Sequence, residues 1–101
     1  MTPKSVTLNA NKKSIQFEYD DNTHLLLNAS YLRAVSPSAE NKNRLKSVET
    51  FKKQEIFSKV SIDKIEAVGN YAIRIIFSDG HNTGIYSWEY IFNIGSKANY
   101  S

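Results

Sequence analysis

Apolar and polar residues alternate at several places along the chain, and a spacing of two between apolar residues is typical of β-strands. The N-terminal part contains three such segments, whose apolar positions are Val6 and Leu8, then Ile15, Phe17 and Tyr19, then Leu25 and Leu27. The connections 9–13 and 20–22 between them are rich in residues that tolerate turn geometry. The pattern therefore predicts three short strands in an antiparallel meander.

The sharpest strand pattern runs from Tyr71 to Ser78. Its odd-numbered positions are aromatic or isoleucine and fall on one face of an extended segment, while its even-numbered positions fall on the other. Asp79 and Gly80 follow with the backbone freedom that a tight reversal needs. A hairpin is therefore predicted, with its second strand over residues 83–86.

The middle of the chain is less regular, and polar residues dominate from residue 38 to 58. Its apolar residues fit either amphipathic helical turns or a loop with apolar anchors, at Leu45, Val48 and Phe51. Val60 and Ile62 resume a strand. The apolar phase then shifts to Ile65, which indicates a bulge or bend before Val68.

Two helices are predicted from their flanking residues. Asn28 stands at the N-cap position of a short helix over residues 29–35, and a proline shortly after it ends that helix. Ser87 stands at the N-cap of a second helix over residues 88–94, with Gly95 just past its end.

These elements predict an α+β fold, in which a small single domain over residues 1–101 is mainly antiparallel β-sheet with two short helices. The chain contains no cysteine, which excludes disulfides and thiolate metal sites within it. No apolar run approaches the roughly 20 residues that span a bilayer, and the N-terminal segment lacks the apolar centre of a secretory signal. A cytoplasmic location without membrane association is expected.

The formal net charge of +3 changes this picture little. Lysine and arginine concentrate in the segment 42–53, but Glu49 interrupts that segment, Glu40 and Glu55 flank it, and it contains one aromatic residue. A surface that follows a phosphate backbone usually has a denser basic stripe with aromatic residues for stacking. Nucleic-acid binding is therefore not predicted, and a solvated loop or helix face explains these charges.

Two longer motifs carry a family resemblance. They are LRAVSPSAE over residues 32–40 and VGNYAIRIIFSDGHNTGIYSWEYIFNIG over residues 68–95. Together they resemble the gamma-butyrobetaine hydroxylase-like N-terminal domain family, which is classed as a domain of unknown function. Members occur as small stand-alone bacterial proteins, as N-terminal domains of carnitine-pathway 2-oxoglutarate dioxygenases, and attached to Mrp-like P-loop ATPases that handle iron–sulfur clusters. The resemblance implies a stand-alone bacterial accessory or interaction domain.

The dioxygenase branch of the family implies a particular polar corner. There, three cysteines and a histidine hold a structural zinc, and these ligands fall here on Ser36, Ser38, Asn41 and His81. A serine hydroxyl keeps its proton at neutral pH and lacks the soft, charged sulfur of a thiolate. The loss of the three cysteines therefore argues against the family's zinc cage in this chain. The resemblance still implies that the loop 36–41 lies beside the turn at Asp79 to His81.

Two interpretations of this corner remain open from the sequence. In the first, His81 with Glu40 or Asp79 forms a residual site for an oxygen-preferring ion such as ferrous iron or manganese. In the second, hydrogen bonds among serines, carboxylates and the imidazole replace the metal and tie the loop to the turn. No cofactor is predicted with certainty, and a divalent metal, iron or zinc, is the alternative.

Catalytic interpretations of the sequence fail on specific grounds. Ser36, Asp79 and His81 are the residue types of a hydrolytic triad, but no nucleophile elbow surrounds the serine. The chain is too short for the large scaffold of an iron-dependent dioxygenase. Its iron site would also need two histidines and a carboxylate, and His24, one of the two histidines here, is expected to be a plain surface residue. It also lacks a GxxxxGK[ST] phosphate loop. No enzymatic activity is predicted.

The aromatic residues from Tyr71 to Phe92 fall mostly at positions expected to face the core. Tyr86 or Tyr90 on the outer side of the sheet, with Arg74, would instead suit a protein interface. The predicted function is a non-enzymatic accessory or protein-interaction domain, linked through the family's fusions to iron–sulfur or 2-oxoglutarate oxygenase systems. The alternative is a metal-binding protein. A protein partner is expected, but the sequence does not define its identity or the oligomeric state.

Overall fold

The computed structural model describes residues 2–37 and 54–99, with side chains described as far as residue 96. In chain order the strands and helices are β1 (Ser5–Leu8), β2 (Ser14–Glu18), β3 (His24–Asn28), α1 (Ala29–Ala34), β4 (Ile62–Val68), β5 (Ala72–Phe77), β6 (Gly84–Ser87) and α2 (Trp88–Asn99). A helical turn at residues 54–56 precedes β4. The basic segment 42–53 and the predictions for Leu45, Val48 and Phe51 lie outside the described residues.

Both sheets are antiparallel and three-stranded, with strand orders β1-β2-β3 and β4-β5-β6. The predicted α+β class and the N-terminal meander are confirmed. The strands are divided between two sheets because the chain passes from β3 directly into α1, and β3 does not pair with β4. The sheets touch at their ends, where the Ile62 N–H donates to the Lys12 carbonyl at 2.8 Å.

The first sheet buries one face and leaves the other open. Ile15 pairs with Leu27, Phe17 pairs with Leu25, and all four side chains are buried. On the opposite face Leu26 is 58% exposed. The alternation along β2 and β3 therefore follows the pattern expected of a half-buried antiparallel sheet.

The second sheet contains the predicted irregularity. The register between β4 and β5 shifts between Ile62 and Lys64, which confirms a bulge ahead of Ile65. Beyond the bulge the pairing is regular to the end of β4, where Val68 lies opposite Ala72.

The reversal from β5 to β6 is wider than predicted. Residues 78–83 form it, and β6 begins at Gly84. The cause is a small closed loop, in which the Phe77 N–H donates to the His81 carbonyl and the Gly80 N–H donates to the Phe77 carbonyl. Gly80 has φ +89°, a conformation that glycine adopts readily.

Helix α1 begins where predicted, but not for the predicted reason. Asn28 occupies the N-cap position with extended backbone, yet its side chain makes no capping hydrogen bond. It is also the last residue of β3, paired with Ser14, and its side chain is exposed. The helix ends at Ala34, with Val35 as its C-cap, one residue earlier than predicted.

Helix α2 confirms the predicted N-cap and corrects the predicted end. The Ser87 hydroxyl oxygen accepts a hydrogen bond from the Tyr90 N–H at 3.1 Å. The helix continues through Gly95 to Asn99. Gly95 serves close packing instead of termination, because a Cβ atom there would lie 2.6 Å from Leu25 Cδ1 on β3.

A single cluster of buried side chains draws on both sheets and both helices. Tyr31 on α1 ties the helices together, since its hydroxyl donates to the Ile94 carbonyl at 2.7 Å. Tyr19 packs edge to face on Phe92, with ring centroids 5.6 Å apart. Its hydroxyl is buried and has no hydrogen-bond partner within the described part of the chain.

Candidate functional site

The end of α1 and the loop between β5 and β6 meet at a polar corner. Ser36, two residues past α1, is fully buried, and its Oγ lies 2.9 Å from Nε2 of His81 in the loop. The expectation that these two segments lie side by side is therefore confirmed for Ser36 and His81. Ser38, Glu40 and Asn41, the other expected members of the corner, lie outside the described residues.

Backbone bonds hold the imidazole of His81 in place. The His81 carbonyl accepts from the Phe77 N–H at 2.9 Å, which fastens the loop to the end of β5. The His81 N–H donates to Oδ1 of Asp79 at 3.1 Å, an Asx-type turn that an aspartate two residues earlier can form. Hydrogen bonds within its own loop therefore position His81 independently of its contact with Ser36.

Arg33 in the last turn of α1 joins a third segment to the corner. Its Nε donates to Oδ2 of Asp79 at 2.9 Å. Its guanidinium carbon lies 4.3 Å from the centroid of the Phe57 ring, a cation–π geometry. Sequence reasoning missed this residue. The available signal was its position three residues before Ser36, within one helical turn of the predicted corner.

Two tyrosines close the C-terminal end of α1. The Tyr86 hydroxyl donates to the Leu32 carbonyl at 2.6 Å, and the Tyr90 hydroxyl donates to the Val35 carbonyl. Carbonyls at a helix C-terminus lack partners within the helix and need donors from elsewhere. Tyrosines of β6 and α2 therefore complete the end of α1.

Gly84 gives Ser36 the space that it occupies. A Cβ atom on Gly84 would lie 2.7 Å from Ser36 Oγ and 3.0 Å from a ring carbon of Tyr86. Contacts below 3.0 Å essentially never occur for a real Cβ atom, so a side chain here would displace the serine. The glycine of β6 is thus part of the corner's construction.

The surroundings of the corner lower the pKa of both of its titratable groups, Asp79 and His81. Partial burial disfavours the charged form of Asp79, but hydrogen bonds from the His81 N–H and the Arg33 guanidinium outweigh it and lower the pKa of the carboxyl. Burial lowers the pKa of His81, the nearby Arg33 charge lowers it further, and Asp79 partly opposes both. At neutral pH the corner thus holds a carboxylate paired with Arg33 and a neutral imidazole.

The donor set of the described residues does not fit the zinc cage that the family resemblance implies. A serine hydroxyl stands at Ser36 where that cage has a thiolate, and Asp79 is already engaged by Arg33 and by the backbone. Within residues 2–37 and 54–99, no group of three or more His, Asp or Glu side chains is arranged to hold a metal ion. The described part of the corner is a hydrogen-bonded network.

The expectation that the C-terminal aromatic residues mostly face the core holds for Tyr86, and the alternative that places Tyr86 with Arg74 on the outer side of the sheet is wrong. Tyr86 lies opposite Ile73 on the buried face and is fully buried, whereas Arg74 lies opposite Ile85 on the other face. The side chain of Tyr71, assigned to the core-facing side, is 57% exposed because it precedes β5. Arg74 binds Glu66 through its Nε at 3.0 Å and through Nη2.

A cavity of about 260 Å³ lies away from the corner, on the open face of the first sheet. No charged side chain lines it, and its lining is formed by Thr7, Leu8, Asn9, Ala10, Gln16 and Leu26. It shares no residue with the corner and offers no group for acid–base chemistry.

The partly buried imidazole of His81 predicts a pH dependence of stability. His81 has a lower pKa in the folded chain than its ordinary value of about 6.5, so the unfolded chain binds more protons as the pH falls. We expect the contribution of His81 to the free energy of unfolding to be constant above the ordinary pKa and to fall as the pH drops from there through the lowered pKa, by at most about 1.4 kcal/mol per pH unit. Urea unfolding at several pH values, kept above the range where Asp79 titrates, measures this.

His81→Gln is expected to flatten that dependence, while His24→Gln, at an exposed position in β3, leaves it unchanged. Equal pH dependence in wild type and His81→Gln would show that His81 is not the group that makes the free energy of unfolding depend on pH.

The fold and the corner define a small α+β domain whose similarity to solved structures is extensive. A crystal structure of a protein of unknown function of the DUF971 family, from Acidithiobacillus ferrooxidans, has a TM-score of 0.73 and 26% identity, over 94% of this chain and 93% of that chain. An NMR solution structure has a TM-score of 0.70 and 28% identity, over 96% and 70%. Another NMR structure has a TM-score of 0.72 and 25% identity, over 98% and 76%.

The family model described as gamma-butyrobetaine hydroxylase-like, N-terminal, matches residues 6–92. The chain belongs to this family, as its two motifs indicated, and the family is a domain of unknown function. No curated protein matches the chain. Among the described residues, no helix is both long enough and apolar enough to cross a membrane.

Proposed function

We propose that this chain is an accessory domain that binds another protein through the solvent-facing side of its second sheet. The observation that carries the proposal is the composition of that side. Ile85 is 44% exposed directly opposite Arg74, whose side chain is 44% exposed. We call the set of outward side chains the outer face, and it comprises Lys64, Glu66, Arg74, Ile76 and Ile85.

The outer face combines apolar area with an arginine, a residue type enriched at protein interfaces. Isoleucine side chains supply apolar area, and an arginine supplies directed hydrogen bonds to carboxylates. Tyr71 extends the surface at the start of β5. The partner that fits is a protein surface with an acidic side chain beside an apolar patch. The family's fusions suggest oxygenases and iron–sulfur ATPases as the first partners to test.

The test compares three proteins as affinity baits in an extract of the native host, with quantitative mass spectrometry. Wild type and a control variant, Leu26→Ser on the open face of the first sheet, are expected to recover the same partner. The double variant Arg74→Ala/Ile85→Ser is expected to lose it. Binding to the purified partner, measured by calorimetry, should then weaken about tenfold or more in the double variant, the equivalent of 1.4 kcal/mol. Equal binding by all three proteins would show that the outer face is not the binding surface.

A second candidate function, metal binding at the corner, is favoured by one observation. Ser36 Oγ and His81 Nε2, at two of the four family ligand positions, lie 2.9 Å apart. Titration of chelator-treated wild type and His81→Ala with Zn²⁺ and Mn²⁺ tests this second function. Saturable uptake that His81→Ala abolishes would support the metal site, and equal uptake in both proteins would remove it.

A further inference from the structure

Strand β4 is one edge of the second sheet, and its hydrogen bonding can be worked out from the opposite edge. The Trp88 N–H donates to the Tyr71 carbonyl at 3.0 Å, so the backbone groups of Tyr71 point toward β6. Successive residues of a strand direct their backbone groups alternately to one neighbour and to the other. Ile73 and Ile75 therefore also bond to β6, and the alternate residues Ala72, Arg74 and Ile76 bond to β4.

The residues of β5 that bond to β4 have Lys64, Glu66 and Val68 as their partners in the register. The intervening residues, Ile65 and Ala67, therefore direct their N–H and C=O groups away from the sheet. No backbone hydrogen bond joins these two outward positions to another element in the described part of the chain. At the bulge the edge of β4 is occupied, because the Ile62 N–H donates to the Lys12 carbonyl. Beyond the bulge, Ile65 and Ala67 form an edge without a neighbouring strand among the described residues.

This open edge is complementary to itself. If two copies of β4 pair in antiparallel orientation about Ile65, the two Ile65 residues exchange backbone hydrogen bonds across a twofold axis. Lys64 of each copy then lies opposite Glu66 of the other, at the type of position where cross-strand side chains approach most closely. Each Glu66 already lies beside Arg74, so the paired sheets would carry an alternating row of charges.

The charges also select this register from its neighbours. A pairing centred on Glu66 places the two glutamates opposite each other, and a pairing centred on Lys64 does the same for the two lysines. Like charges directly opposite are destabilising, so these registers are disfavoured. Lys64 Nζ already lies 3.3 Å from Glu66 Oε2 of its own strand, and the pairing about Ile65 adds an oppositely charged neighbour across the axis to each of them. It also brings two half-buried isoleucines into contact.

We propose that the partner of this edge is a second copy of the same chain, which pairs through β4 about Ile65 to form a continuous six-stranded sheet across a twofold axis. The occupied position at Ile62 confines the pairing to the segment beyond the bulge, so the interface is small and the dimer dissociates at low protein concentration. This inference goes beyond the proposed function, since it concerns the edge of the sheet. The outer faces of both copies stay open for another protein.

Sedimentation equilibrium over a wide range of protein concentration tests the proposal. Wild type is expected to associate reversibly to a dimer. Lys64→Glu and Glu66→Lys are each expected to weaken self-association about tenfold or more, because each puts like charges opposite across the axis. An equimolar mixture of the two variants should associate again, because one edge then carries two acidic and the other two basic side chains.

Lys59→Glu is the matched control, since it makes the same charge change at an exposed lysine outside β4 and should associate like wild type. Lys64 is well exposed, so Lys64→Glu keeps the fold and remains decisive even if the loss of the Glu66–Arg74 pair unfolds Glu66→Lys. A wild type that stays monomeric at every concentration, or a Lys64→Glu variant that associates as tightly as wild type, would overturn the proposal.

Discussion

Replacing Gly84 with alanine is expected to lower the free energy of unfolding by about 1–3 kcal/mol, the usual cost of overpacking a well-filled site. The new Cβ atom would lie 2.7 Å from Ser36 Oγ and 3.0 Å from a Tyr86 ring carbon. Neither neighbour can move freely, because Ser36 is bonded to His81 and Tyr86 is bonded to the Leu32 carbonyl. Urea unfolding followed by circular dichroism measures the change.

The cause of this loss can be separated from a general effect of substitution in β6. Ser36→Ala removes the hydroxyl oxygen that the new methyl group would meet, so Gly84→Ala should cost less in that background. The difference between the two costs is the coupling of the two sites in a double-mutant cycle. Equal losses of stability in both backgrounds would show that contact with the Ser36 hydroxyl is not what makes Gly84→Ala destabilising.

The second large effect is expected from the tyrosine that closes α1. Tyr86→Phe removes the donor to the buried Leu32 carbonyl, and an acceptor left buried without a partner costs about 1–3 kcal/mol. Burial raises the pKa of Tyr86, and its hydroxyl stays protonated and able to donate throughout the physiological range. Thermal unfolding should show a midpoint lowered by roughly 4–8 °C for each kcal/mol.

Tyr19→Phe provides the comparison, since it makes the same chemical change at another buried tyrosine. The Tyr19 hydroxyl has no hydrogen-bond partner within the described residues, so its removal relieves a desolvated group and leaves no acceptor behind. This variant should be as stable as wild type or slightly more stable. A larger loss for Tyr19→Phe than for Tyr86→Phe would contradict the hydrogen-bond assignment at both positions.

The strands were largely predictable from the sequence because alternation is a local signal. Ile15, Phe17, Leu25 and Leu27 are all buried as the pattern predicted. The length of α2 was not predictable, because the role of Gly95 depends on Leu25, a residue 70 positions earlier in the chain. A glycine at a helix end and a glycine at a helix contact look the same in sequence.

The candidate site likewise contains features that the sequence predicted and features that it could not predict. The proximity of Ser36 and His81 followed from a family resemblance, and the structure contains it. The direction of Tyr86 could not be derived, because in a four-residue strand a shift of one position moves every side chain to the other face. That direction was fixed by the pairing with Ile73, and the role of Arg33 was fixed by the loop that presents Asp79.

The tyrosine donors at the end of α1 have a consequence for the order of folding. A helix of six residues is far too short to persist alone in water. Its last carbonyls depend on Tyr86 and Tyr90, which are 54 and 55 positions away from the groups that they bind. Contacts of such separation require closure of long loops. We therefore expect α1 to become helical late, after the β5–β6 hairpin exists, so that damage to this end of the molecule accelerates unfolding more than it slows folding.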